Sequence, residues 1–124
     1  MCQRNGETID HLFLHYDVAS LLWNEIFASQ HIDWALPRRM EDVLKAWRRK
    51  FRDKDSRLAW ELIPGCIVWC VWRERNCRYF DDQTRTTEQL RELFYFTLYT
   101  WFNAVATSHI DGLPNFMSFL TDLY

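Results

Sequence analysis

The sequence predicts an all-α fold, a single domain of roughly four to five helices behind an irregular N-terminal stretch. Three observations lead there. Apolar residues recur at helical spacing in successive segments, polar or glycine- and proline-bearing breaks separate them, and the one stretch rich in Ile, Val and Trp is long for a strand. A chain of 124 residues is long enough for one core and too short for two, so residues 1–16 are read as an irregular remnant and 17–124 as the helical body.

Taken in order, Asp17 is a candidate N-cap for "VASLLWNEIFAS", in which Ala19, Leu22, Trp23 and Ile26 form one apolar stripe. "SQHIDWALPRR" interrupts the pattern. "MEDVLKAWRRKF" resumes it as an amphipathic basic helix, with Met40, Val43, Leu44, Trp47 and Phe51 on one side and Arg48, Arg49 and Lys50 largely on the other. Residues 53–56 supply turn chemistry before a segment, 57–80, that holds the breaker pair Pro64-Gly65, so a short lead-in and a kink are expected. From Cys66, "CIVWCVWRERNCRYF" reads as a helix of about 14 residues, since nothing turns the chain before Asp81. Trp69, Arg73 and Asn76 share one stripe of it, and Cys66, Cys70 and Cys77 another. Thr86 or Thr87 caps "EQLRELFYFTLYTWFNAVATSH", about 20 residues whose nearly all-apolar second half implies burial against several neighbours. "DGLP" ends that helix, and "NFMSFLTDLY" offers Phe116, Phe119, Leu120 and Leu123 to a short terminal one.

Hydrophobic residues make up 48% and aromatics 17%, with seven Trp and nine Phe against three Gly and three Pro, which excludes a disordered chain. Aromatics this dense exceed what a small core usually hides, so an apolar face is expected to stay open. Four cysteines without a secretory leader point to a reducing intracellular setting, nuclear or cytoplasmic, without disulfides and not secreted. The most apolar run, residues 62–72, is about 11 residues long and contains Pro64 and Gly65, well short of a bilayer span, so no membrane partner is expected. The net charge of −2 conceals segregation: residues 38–54 hold eight Lys or Arg against three acids. Such a run serves either as a solvated helix face or as a phosphate-binding surface.

The opening "CQRNGETIDHLFLHY" reads as half of a metal knuckle, with Cys2, His11 and His15 as candidate ligands. Structural zinc takes four ligands, usually as two close pairs. Cys2 would need a partner at a position before Met1, His11 and His15 form an i, i+4 pair only if helical, and Tyr16 is a poor zinc ligand. Gly6, Gly65 and Gly112 provide no nucleophile elbow or phosphate loop, so no enzyme is expected. Cys66, Cys70 and Cys77, set among Ile67, Val68 and Trp69, read as small core residues. "WRERN" reads as surface or half-buried ion pairs.

The string C-x4-E-T-x2-H-L-F-L from Cys2, running to Trp23, and later "IPGCIVWCVWRERNCRYF" at residues 63–80, resemble the zinc-binding domain (zf-RVT type) at the C-terminal end of plant LINE-type, non-LTR retrotransposon reverse transcriptases. The likeness extends over most of the chain. It implies that Cys2 stands at the family's second cysteine, Glu7 and Thr8 at its acidic-hydroxyl pair, His11 at its histidine ligand and Trp23 at its helix tryptophan. The first cysteine has no counterpart and Tyr16 replaces the last, so the ligand set is truncated and stable zinc binding is not expected. His15 is a substitute nitrogen beside Tyr16.

The resemblance implies a non-catalytic remnant whose remaining role is contact with RNA or DNA. The surface expected to serve is the basic helix, with Arg38, Arg39, Lys45, Arg48, Arg49, Lys50, Arg52 and Lys54 on phosphates and Trp47 stacking on a base. The rival expectation is a helical protein–protein interaction or self-association module, with Trp101, Phe102, Phe116 and Phe119 as an exposed apolar face. Without a complete knuckle, residues 1–16 are expected to fray while the helices fold on their own core.

Overall fold

The computed structural model describes residues 12, 16–30, 39–47, 50–51, 53–80 and 85–123. Among them are five helices and no strand: α1 (Asp17–Ser29), α2 (Met40–Ala46), α3 (Lys54–Phe80), α4 (Thr87–Val105) and α5 (Leu113–Thr121). The all-α expectation therefore holds.

The axis of the fold is the antiparallel pair α3 and α4. The Cys66 thiol donates to the Phe94 carbonyl at 3.5 Å across this pair, a close approach that its small side chain permits. Ile63, Cys66, Ile67, Cys70 and Val71 of α3 are fully buried against this seam, as are Phe94, Leu98 and Phe102 of α4. The three described cysteines, Cys66, Cys70 and Cys77, are free thiols, the first two in the core as expected. α1 packs its stripe of Val18, Ala19, Leu22, Trp23 and Ile26 across α3 and α4. α5 closes the other end, with Phe116 between Phe102 and Tyr99 at centroid distances of 5.4 and 5.5 Å.

α3 does not break at Pro64-Gly65 but runs 27 residues through it. Proline has no N–H for the carbonyl four residues back, and its ring crowds that same group. The carbonyl concerned is that of Trp60, and the Trp47 indole supplies the missing donor, Nε1 to Trp60 O at 2.7 Å. Trp60 Nε1 in turn donates to the Trp47 carbonyl at 2.5 Å, and the two rings stack at 4.3 Å and 7°. A side chain arriving from the end of α2 thus repairs the helix at its weakest backbone position.

The ends of the helices follow local chemistry, with some departures. Tyr16, not Asp17, is the N-cap of α1, and Asp17 lies in the first turn, where a carboxylate opposes the helix dipole favourably. Asp53 starts α3 by accepting from Ser56 N at 3.1 Å, and hydrogen bonding with the Ser56 side chain, then with its backbone N–H, lowers the Asp53 pKa. Thr86 and Gln89 form a capping box on α4. α4 stops at Val105, short of the expected His109, and Gly112, at φ +86°, turns the chain into α5 with Pro114 in its first turn. Leu12 and Tyr16 are buried in the core, so the stretch expected to fray contributes packing at these two positions.

Candidate nucleic-acid interface

Few of the sequence-predicted site residues come together. Cys2, His11 and His15, and the basic residues Arg38, Arg48, Arg49 and Arg52, lie outside the described residues. No group of three or more His, Cys, Asp or Glu among the described residues is arranged to hold a metal. Tyr16, at the position of the family's last zinc ligand, is buried, and its hydroxyl accepts from Arg78 at 3.1 Å. A phenol facing a guanidinium is not a cation ligand, so the donor set implied by the resemblance does not fit zinc at this position.

Of the cations of the basic stretch, Arg39, Lys45, Lys50 and Lys54 are among the described residues. α2 ends at Ala46, so the expected amphipathic helix through Phe51 is only seven residues long. Arg39 and Lys45 both pair with Glu41, at 2.9 and 3.0 Å, while Lys50 and Lys54 are exposed. Trp47 is buried between Trp23, Phe27 and Trp60 and makes the helix-repairing bond described above, so it is not a base-stacking residue. Of the expected interaction face on α4 and α5, Phe102 and Phe116 are fully buried instead of exposed, and Trp101 and Phe119 are half-buried.

The open aromatic face lies instead on α3. Gly65, Trp69, Trp72, Asn76 and Tyr79 follow one another at spacings of four and three and form one stripe of the helix. Trp69 and Trp72 are each 45% exposed and Tyr79 is 66% exposed, unusual for large rings in a chain with so much core to fill. The Arg75 guanidinium sits between two of these rings, 5.5 Å from the Trp72 centroid and 5.8 Å from that of Tyr79. Arg73 is exposed beside them.

The acid of this segment faces the other way. Glu74 is fully buried and accepts from Arg78 Nε at 3.1 Å, from the Arg85 backbone N–H at 3.1 Å and from the Arg85 side chain at 2.8 Å. Burial pushes its carboxyl pKa up, but these hydrogen bonds and the Arg85 charge outweigh it and hold the group below its ordinary value. The ion pairs expected of "WRERN" form through Glu74, which joins α3 to the start of α4 by way of Arg78 and Arg85, while Arg73 and Arg75 lie toward the outer face. Trp69 and Asn76 were legible in the sequence as sharing a stripe with Arg73, whereas Trp72 and Tyr79 join them on the exposed side only in the structure.

A second feature is a shallow cleft of about 200 Å³ where the start of α3 meets the end of α4, lined by Lys54, Asp55, Arg57, Leu58, Glu61 and Val105. Arg57 is 4.0 Å from Glu61, and the cleft has mixed charge and neither a histidine nor a thiol in its wall. No protein-family model, curated protein or solved structure matches the chain.

Proposed function

We propose that this chain is a non-catalytic remnant of a LINE-type reverse transcriptase zinc-binding domain that contacts nucleic acid through the outer face of α3. The observation that carries this reading is the segregation along residues 69–79: rings and guanidinium groups outside, the carboxylate of Glu74 inside. Aromatic faces with cations between them suit bases and phosphates together. The basic stretch of residues 38–54 is secondary in this reading, because Glu41 binds two of its cations and Trp47 belongs to the core.

The test is fluorescence anisotropy of labelled oligonucleotides, single-stranded and duplex, titrated with the chain at about 50 and about 200 mM salt. Binding that weakens with salt, and weakens further with a flatter salt slope in Arg73→Gln with Arg75→Gln, is expected. No binding of either oligonucleotide at the lower salt would overturn the reading.

A second reading has one observation in its favour. The four-and-three spacing of Gly65, Trp69, Trp72, Asn76 and Tyr79 is also that of a helix–helix seam, which would make the chain a self-association module. That reading requires the solution mass to rise with concentration and to fall to the monomer's in Trp69→Ala with Trp72→Ala.

A further inference from the structure

We infer that the outer face of α3 is a stacking platform for single-stranded nucleic acid, not a duplex-binding surface. This inference rests on the nucleic-acid reading above and names the form of ligand that the face accepts. The argument is one of magnitudes. Arg73 and Arg75 are the cations of the strip, and neutralising two phosphates gives a salt slope of only about 1.4, so raising salt from about 50 to about 200 mM costs roughly sevenfold. Duplex binders that rely on the backbone make about six to ten phosphate contacts, and this face offers far fewer. Stacking is the larger resource, since each base laid on an aromatic ring contributes roughly five- to hundredfold in affinity.

A base pair in a duplex presents its edges to the grooves and keeps its faces inside the stack. The rings of Trp69, Trp72 and Tyr79 can reach base faces only where a strand is unpaired. Geometry sets the length of strand. From residue 69 to residue 79 the helix rises about 15 Å at ~1.5 Å per residue, which spans about four nucleotides at the stacked spacing of ~3.4 Å. Arg75, close to both Trp72 and Tyr79, places a planar cation at mid-strip. The rings are already on the surface of a rigid helix, so docking needs no rearrangement of the core.

The experiment compares an unstructured single strand of about 12 nucleotides, as RNA and as DNA, with a hairpin duplex of the same composition. The probes are titrated against the native chain and the variants Trp72→Ala, Trp72→Phe and Arg75→Lys, with circular dichroism confirming that each variant is folded. The single strand is expected to bind at least about tenfold more tightly than the hairpin. Trp72→Ala should weaken it by about tenfold, Trp72→Phe should recover most of that loss, and the salt slope should stay below about 2. RNA and DNA strands binding alike would mark stacking without a 2′-hydroxyl contact, while preference for RNA would add such a contact; both support the platform. Equal binding of hairpin and single strand overturns the inference and leaves the nucleic-acid reading standing. Binding of neither overturns both, and a concentration-dependent mass abolished by Trp72→Ala would then assign the strip to a second copy of the chain.

Discussion

Trp47→Phe tests how α3 survives its internal proline. The substitution removes the Nε1 donor that reaches the Trp60 carbonyl at 2.7 Å while keeping a ring for stacking and leaving the Trp47 carbonyl in place for Trp60 Nε1. Pro64 has no N–H to take over, so a buried acceptor is orphaned at a cost of about 1–3 kcal/mol. The smaller ring adds about 1 kcal/mol for lost packing. Together the variant should lose about 2–4 kcal/mol, a large share of the stability of a domain this size. In a Pro64→Ala background, residue 64 regains a backbone N–H aimed at the same carbonyl, and Trp47→Phe should cost only the packing difference. The two substitutions should therefore couple by about 1–2 kcal/mol in a double-mutant cycle. Urea unfolding followed by the helical circular dichroism signal measures each corner. Additivity within about 0.5 kcal/mol would refute the idea that the indole substitutes for the missing amide.

Three other outcomes follow from the same structure. Glu74→Gln keeps the shape but removes the charge that Arg78 and Arg85 share, and should destabilise by about 1.5–3 kcal/mol in urea unfolding. Because the folded Glu74 carboxyl lies below its ordinary value of 4.5, its contribution is complete above that pH and is lost as pH falls through the folded value. The native chain should therefore lose stability on that acid limb more steeply than Glu74→Gln, and parallel pH profiles would contradict the assignment. Thr86→Ala removes one half of the α4 capping box and should lower stability by about 1 kcal/mol, whereas Thr87→Ala should change it little; equal effects would move the cap. Cys66 and Cys70 are buried in the core, so among the three described thiols iodoacetamide should label half-buried Cys77 first and reach Cys66 and Cys70 only at the rate of unfolding. Mass spectrometry of the peptides reads this order, and early labelling of Cys66 would show that the α3–α4 seam opens locally.

The sequence by itself determined the helical class, because the apolar periodicity of segments such as 17–29 and 87–105 admits only a helix with one covered face. It also narrowed the cap of α4 to Thr86 or Thr87, since such caps need no information from beyond one turn, and the structure resolves the choice to Thr86 with Gln89. It misjudged Pro64 because the donor that preserves α3 comes from Trp47, 17 positions earlier, and no local rule includes a partner at that distance. The candidate site divides in the same way. Of the strip, Trp69 and Asn76 were legible as sharing a helix stripe and Trp72 and Tyr79 were not; Glu74 read as a surface or half-buried ion-pair partner, and the packing of α4 and the Arg85 hydrogen bonds turn it fully inward. Conversely, Trp47 and Phe102 read as candidate exposed aromatics although the core takes them both. Periodicity says which residues share a face of a helix. Which face meets the other helices and which is left to water is set by how the helices pack together, and in this protein that choice separates the core from the interface.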